Sequence, residues 1–371
     1  MIALWATDSA IVGNSALPTR NRRHRRAFAA ALCLLLGALA SLTSGCASRP
    51  GKPPAGGPTA RREGAWQKQT LPATVRVRVR AKGGSRILTL PLDEYVTGAV
   101  RGEVLPSTLR TALASGALDV QAIVSRTYAA ANLGRHASDG YDLCDTTHCQ
   151  VYRAAAAGEG PADAAARAVS ATRGRVLTFQ GRLIQALFHA DCGGHTASAE
   201  AVWGGTDAPY LQSVDDWFCT RRPASAWTFD AEASGVLRAL NADARTRIGD
   251  RFRRIDIASR DASGRALAVT LIGSKTISIR AEVFRAVMTR TFGPRSIRST
   301  WFEVSLDGPR LRISGVGFGH GVGLCQGGAL RRAEARQTPA EILAHYFPST
   351  RLQSASVRLA RPDVAGQLFV R

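Results

Sequence analysis

The chain has 371 residues, 45% of them hydrophobic and 21% charged, proportions that fit a folded protein with a sizeable core and exclude a disordered or fibrous one. Its 49 basic residues against 28 acidic ones give a formal charge of +21; the first 45 residues hold five of the arginines and one aspartate, so 44 basic and 27 acidic residues, a net +17, lie beyond them. Such an excess attracts polyanions in general, but there is no zinc-finger spacing, no RRM-type aromatic motif and no strong helix-turn-helix pattern, so nucleic acid is not an expected partner.

Asn21–Arg26 is a dense basic segment, and the apolar run Ala27–Ala40 follows it. That run is too short for a comfortable membrane span. Basic region, short apolar core and small residues together predict a signal peptide over 1–45 and an exported protein of the periplasm or cell envelope. Arg25-Arg26-Ala-Phe28 loosely fits a twin-arginine signal, and Sec export is equally open. Cys46 ends Leu42-Thr-Ser-Gly-Cys46, which resembles a bacterial lipobox with its leucine one position farther out than usual. Lipidation of Cys46 is therefore expected, with the membrane reached through that anchor. Residues 46–72, rich in proline and glycine, read as a flexible tether.

Val75, Val77 and Val79 alternate with Arg76, Arg78 and Arg80, the period of a half-buried strand. Gly83-Gly84 turns the chain into a second strand over Arg86–Leu90. Helices are predicted at Asp93–Val100, Leu118–Leu133 and Ala162–Ser170, a strand through Gln150 and Tyr152, and a hairpin over Arg175–His189 turning at Gln180-Gly181. From Trp227 to Trp301 the texture changes: a helix at Ala231–Leu240, strands at Arg254–Ser259 and Ala266–Ile272 joined across Ser263-Gly264, a helix at Ala281–Thr291, and nothing reactive. The predicted fold is α+β with two lobes. An active lobe of hairpins and helices comes in two parts, 73–226 and 301–352, with a supporting lobe at 227–300 inserted between them and a C-terminal tail at 353–371.

Four blocks carry a family resemblance. Leu90-Pro-Leu-Asp-Glu-Tyr-Val96, Gly102-Glu-Val-Leu-Pro106 and Gln121-Ala-Ile-Val-Ser-Arg-Thr-Tyr128 open it; Cys144-Asp-Thr-Thr-His-Cys-Gln-Val-Tyr152 is the second. Phe188-His-Ala-Asp-Cys-Gly-Gly-His-Thr196, with Trp203-Gly-Gly and Pro209-Tyr-Leu211, is the third. Gly319-His-Gly-Val-Gly-Leu-Cys-Gln326 and Glu341-Ile-Leu-Ala-His-Tyr-Phe-Pro348 close it. In this order the blocks resemble the SpoIID/LytB family over about residues 72–352. The resemblance implies action on peptidoglycan, often on glycan strands stripped of stem peptides. Its members act either as lytic transglycosylases or as enhancers of a cell-wall amidase, and the catalytic glutamate of the former falls on Glu103.

Glycosidic cleavage needs an acid for the leaving oxygen. A single carboxyl group can act as acid and then base when apolar surroundings lift its pKa towards neutrality. In a lytic transglycosylase the sugar's own 6-hydroxyl completes the reaction, so no second carboxylate and no cofactor is required. Glu94 is the weaker rival, since Asp93 and Glu94 suit the first turn of a helix. Arg126, Tyr128, Gln150, His189, His320 and Gln326 are the candidate substrate-binding residues. Arg126 and Tyr128 point in different directions, so one can reach a cleft while the other supports the core. His189, His195 and His320 come from separate blocks that can converge, and Gly319, Gly321 and Gly323 allow close approach to a ligand or tight packing.

Five cysteines follow Cys46, an odd number in an exported chain. Two readings stand side by side. Cys144, His148 and Cys149 supply three ligands for a structural zinc, with His136 available as a fourth, and some family members carry zinc near this block. Alternatively Cys144–Cys149 and Cys192–Cys219 are disulfides. Cys325 stands where the family usually has serine, so a hydroxyl role at that position is in doubt.

Overall fold

The computed structural model describes residues 70–104, 115–156, 163–205, 208–219 and 225–357. The expected signal peptide, Cys46 and residues 46–69 of the tether lie outside them. Among the described residues no helix is long and apolar enough to cross a membrane.

Strand β1 (Thr70–Leu71) leads into β2 (Thr74–Ala81), where Val75, Val77 and Val79 are buried and the intervening arginines exposed. β3 (Gly84–Pro91) pairs antiparallel with it from Thr74↔Pro91 to Ala81↔Gly84. Helix α1 (Leu92–Glu103) carries Asp93 and Glu94 in its first turn, where the helix dipole favours acids. It runs three residues beyond the expected Val100 and so ends on Glu103. Helix α2 (Ser115–Ala131) is the central helix of the lobe, buried along almost its whole length from Leu118 to Ala129. β4 (Leu143–Cys144) adds to the free side of β2 in parallel, Val77↔Leu143. Helix α3 (Ala164–Ala171) starts where the Asp163 carboxylate accepts from Ala166 N at 2.7 Å. β5 (Arg175–Phe179) and β6 (Arg182–Leu183) form the expected hairpin, with Gln180 and Gly181 both at positive φ in the turn. β7 (Phe188–His189) and α4 (Ala199–Trp203) complete this part.

The second lobe begins with β8 (Ala226–Glu232), followed by α5 (Ala233–Asn241). The predicted helix from Ala231 therefore starts two residues late. The preceding segment is a strand because Trp227, Phe229 and Ala231 face inward at period two. β9 (Phe252–Arg260), β10 (Ala266–Gly273) and β11 (Thr276–Arg280) make one antiparallel sheet, and α6 (Ala281–Phe292) packs on it. β12 (Phe302–Asp307) and β13 (Arg310–Val316) form a second sheet with β8. β8 and β13 pair from Ala226↔Val316 to Glu232↔Arg310, so the chain enters and leaves this lobe side by side. The lobe's core includes Phe302, Leu311 and Ile313, and thus extends beyond the expected boundary at residue 300.

The chain then returns to the first core through β14 (Leu324–Cys325), which lies parallel to β7. Helix α7 (Gln326–Glu334) and helix α8 (Pro339–Tyr346), the latter opened by a Thr338/Glu341 capping box, pack against it. β15 (Arg351–Ser354) pairs with β5, and β16 (Ser356–Val357) with β1. Residues 353–357, expected as tail, are thus part of the fold. The first core joins residues before the second lobe, from Leu71 to Cys219, to residues after it, from Val322 to Phe347.

Candidate active site

Glu103 is the last residue of α1, and its placement depends on two glycines one turn apart. A Cβ at Gly98 would overlap the Tyr152 ring, and one at Gly102 would overlap the Val151 carbonyl. The bare face between them receives residues 150–153, which lie extended along the helix with Arg153 N donating to Gly98 O at 3.0 Å. Gln150–Tyr152 is not the expected strand; this segment spends its backbone on α1 instead of a ladder. As a result Val151 N donates to Glu103 Oε1 at 2.5 Å. Burial raises the Glu103 carboxyl to about 7, against the opposing pull of the Val151 hydrogen bond.

Tyr95 and Tyr128 lie near this carboxyl, and three glutamines bond to the residues around it. Tyr95 stacks on Tyr152 with ring centroids 5.9 Å apart, and its hydroxyl donates to Gln150 Oε1 at 3.1 Å. Burial drives Tyr128 up to about 12, and the negative charge of Glu103 contributes in the same direction. Tyr128 therefore stays a phenol and a hydrogen-bond donor. From the start of α7, Gln326 Nε2 reaches Glu103 O at 3.4 Å and Gln121 Oε1 at 3.2 Å, and Gln121 in turn donates to Ser125. Residues on either side of the second lobe thus meet at Glu103.

Of the predicted binding residues, Arg126 is corrected. It is fully buried, its guanidinium bonded to Asp93 Oδ1 at 3.2 Å and to the carbonyls of Thr172 and Val169. It locks α1, α2 and α3 together and is not available to a ligand. Gln150 is fully buried too, and its Nε2 has no hydrogen-bond partner among the described residues. His189 and His320 converge as expected, ring centroids 5.7 Å apart, with Trp203 5.2 Å from His320. Burial holds both rings neutral, His189 well below its usual range and His320 at about 3. His189 Nε2 is buried without a hydrogen-bond partner among the described residues. His195 is engaged elsewhere, with Asp215 at 3.2 Å and Ser213 Oγ at 2.9 Å. The glycines beside His320 serve packing: Gly321, at φ +84°, leaves space that the Arg265 guanidinium fills, and a Cβ on Gly319 would press on His189.

The five described cysteines are free thiols, so neither expected disulfide is formed. His136, Cys144, His148 and Cys149 bring one ligand atom each within 4.8 Å of one another. His136 Nε2 lies 3.3 Å from Cys149 Sγ, and His148 Nδ1 lies 3.6 Å from Cys149 Sγ and 3.8 Å from Cys144 Sγ. Zinc bonds of about 2.0–2.3 Å at tetrahedral angles put S and N ligands about 3.6 Å apart, so this donor set fits the ion in number, softness and spacing.

Tyr95 and Gln121 sit inside motif blocks but were not singled out, because nothing in a sequence distinguishes a tyrosine that faces the site from one that fills the core. Gly98 and Gly102 had a signal, two glycines at i and i+4 in a helix. A second group, Cys192, Asp216, Cys219 and Cys325, escaped because its members lie far apart in sequence.

Residues 81–179, which include Glu103 and the Cys144–Cys149 block, match the family described as SpoIID, Stage II sporulation protein. An uncharacterized protein of Brachyspira hyodysenteriae is 31% identical over 265 residues, 70% of this chain and 65% of its own. Stage II sporulation protein D of Bacillus subtilis is 28% identical over 309 residues, covering 78% of this chain and 83% of that one. The amidase enhancer of Bacillus subtilis is 28% identical over 295 residues, 68% of this chain and 40% of the enhancer. The chain thus spans less than two thirds of the Brachyspira protein and of the enhancer.

Proposed function

Because the chain belongs to the SpoIID/LytB family, we propose that it cleaves peptidoglycan glycan strands as a lytic transglycosylase, with Glu103 as acid and then base. The carrying observation is a carboxyl group at about 7, held by Val151 N–H at the end of α1. Near neutral pH such a group populates both forms the cycle needs. Protonated, it delivers its proton to the glycosidic oxygen as the C1–O bond breaks. Ionised, it takes the proton of the 6-hydroxyl as that oxygen bonds to C1 and closes a 1,6-anhydro ring. Tyr128 and Gln326 are placed to hydrogen-bond the sugar, and Gln150 acts through Tyr95.

His136, Cys144, His148 and Cys149 would hold a zinc ion whose part is structural, tying the loop before Gln150 to β4. Export through residues 1–45 and anchoring at Cys46 place the protein in the cell envelope, where its basic surface suits anionic polymers. The test is incubation of the full chain with peptide-stripped glycan strands and mass spectrometry of the products. Fragments ending in 1,6-anhydro sugars, absent with Glu103→Gln, support the reading. The similarity to an amidase enhancer favours a second one, a non-catalytic glycan binder that recruits an amidase. Intact strands with binding retained in both proteins select it.

A further inference from the structure

Cys192, Asp216, Cys219 and Cys325 are all fully buried, and each offers a ligand atom within 4.8 Å of the others. They come from three separate places: the turn after β7, the loop over 213–219, and the junction of β14 with α7. Cys219 Sγ and Cys325 Sγ lie 3.7 Å apart, and Cys192 Sγ lies 3.4 Å from Asp216 Oδ2. Zinc–ligand bonds of about 2.3 Å to sulfur and 2.0 Å to oxygen give tetrahedral edges of about 3.8 and 3.5 Å.

Backbone N–H groups point at the sulfurs. Backbone N–H groups of Cys192 and Gly328 donate to Cys325 Sγ at 3.2 and 3.3 Å, and Gly194 N donates to Cys192 Sγ at 3.3 Å. Such donors stabilise ionised sulfur and orient it. Tyr346 O–H donates to Asp216 Oδ2 at 2.6 Å, with Arg332 3.5 Å from the other oxygen.

Arg265 is the independent observation. This guanidinium from the second lobe is 1% exposed and donates to Cys192 O at 2.6 Å, yet its Nε and Nη1 have no hydrogen-bond partner among the described residues. Among the described residues it forms no salt bridge, and its one hydrogen bond is to the backbone of Cys192. A buried cation against neutral thiols is costly. Three thiolates and a carboxylate around a divalent ion leave two negative charges, beside which lie Arg265 and Arg332, with the Asp191 carboxylate 3.3 Å from Cys219 Sγ and bonded in turn to Ser225 and Gly193 N. A disulfide would discharge two of the sulfurs and leave the third unused.

We propose that Cys192, Asp216, Cys219 and Cys325 form a second, closed metal site for Zn²⁺, charge-compensated by Arg265 and Arg332. The ion joins both parts of the first lobe and, through Arg265, the second lobe. It also fixes Cys325 beside His189 and hence the adjoining Gln326 on Glu103. Four protein ligands leave no open position, so its role is structural.

The test is zinc content per chain of the full protein, which is independent of any glycan cleavage. Wild type is expected to hold two equivalents. Cys325→Ser is expected to hold one and stay folded by circular dichroism, and His148→Ala/Cys149→Ser to lose the other. Should Cys325→Ser aggregate, Co²⁺ loaded into His148→Ala/Cys149→Ser is read instead, one equivalent with a thiolate-to-metal charge-transfer band being expected. Equal zinc in wild type and Cys325→Ser, no such band, or a disulfide among the three cysteines by intact-mass alkylation would each overturn the site.

Discussion

The two lobes differ at their centres. The second buries Val236, Leu240, Val269, Leu271, Phe284 and Met288 around an apolar centre and keeps pairs such as Arg254–Asp256 and Arg312–Asp230 at the surface. The first buries Gln121, Ser125, Arg126, Gln150, His189 and Asp216 inside its core, with atoms of Gln150 and His189 left unpaired. Burying polar groups costs stability unless they are satisfied. Both lobes hold buried polar atoms without a hydrogen-bond partner among the described residues, Arg265, Asp261 and Glu282 of the second included, so what sets the first apart is the carboxyl lifted to about 7 at the meeting of three segments.

Substitutions sharpen that contrast. Glu103→Gln, nearly isosteric, is expected to lower anhydro-product formation by roughly 10²–10⁴-fold while the melting temperature holds; loss of fold instead would make Glu103 structural. Arg126→Met should cost about 3–5 kcal/mol in urea unfolding, since it leaves buried carbonyls and Asp93 without their partner. Gly102→Ala pushes the Val151 carbonyl off α1 and should lower the cleavage rate roughly 10²-fold through displacement of the donor to Glu103, with a loss of stability of roughly 1–3 kcal/mol because the clash is with backbone. In the second lobe, Arg254→Ala removes an exposed pair and should change unfolding free energy by less than about 1 kcal/mol.

Much of this was legible in advance. The valine–arginine alternation of β2, the Gln180-Gly181 turn and the boundaries of α6 follow from local pattern, because those elements satisfy their periodicity without outside help. Glu103 was identified by resemblance; its environment was not legible, because Val151, Gln326 and Gln121 come from three distant segments. Arg126 misled for the same reason: an arginine in a motif looks like a ligand-binding group until the carbonyls of α3 are seen around it. Ala231 and Glu232, the last two residues of β8, read as helix because Ala231–Leu240 has helical composition throughout, and only pairing with β13 holds them extended.

pH separates the lobes as well. The folded carboxyl of Glu103 is raised above its ordinary 4.5 to about 7. Its contribution to stability is therefore full below about 4.5 and is lost as pH rises through 7. Unfolding followed against pH should show this slope in wild type and not in Glu103→Gln. Proton donation by the same group should fail along the same limb, so cleavage falls as pH rises above 7.

The most direct measurement is titration of Glu103 itself, by carbon NMR of the side-chain-labelled full chain with Glu103→Gln identifying the resonance. A midpoint near 7 is the result expected of a buried carboxyl that serves as acid and base. A midpoint near 4.5 would mean a solvated carboxylate with almost no acid form at neutral pH, and would contradict the account.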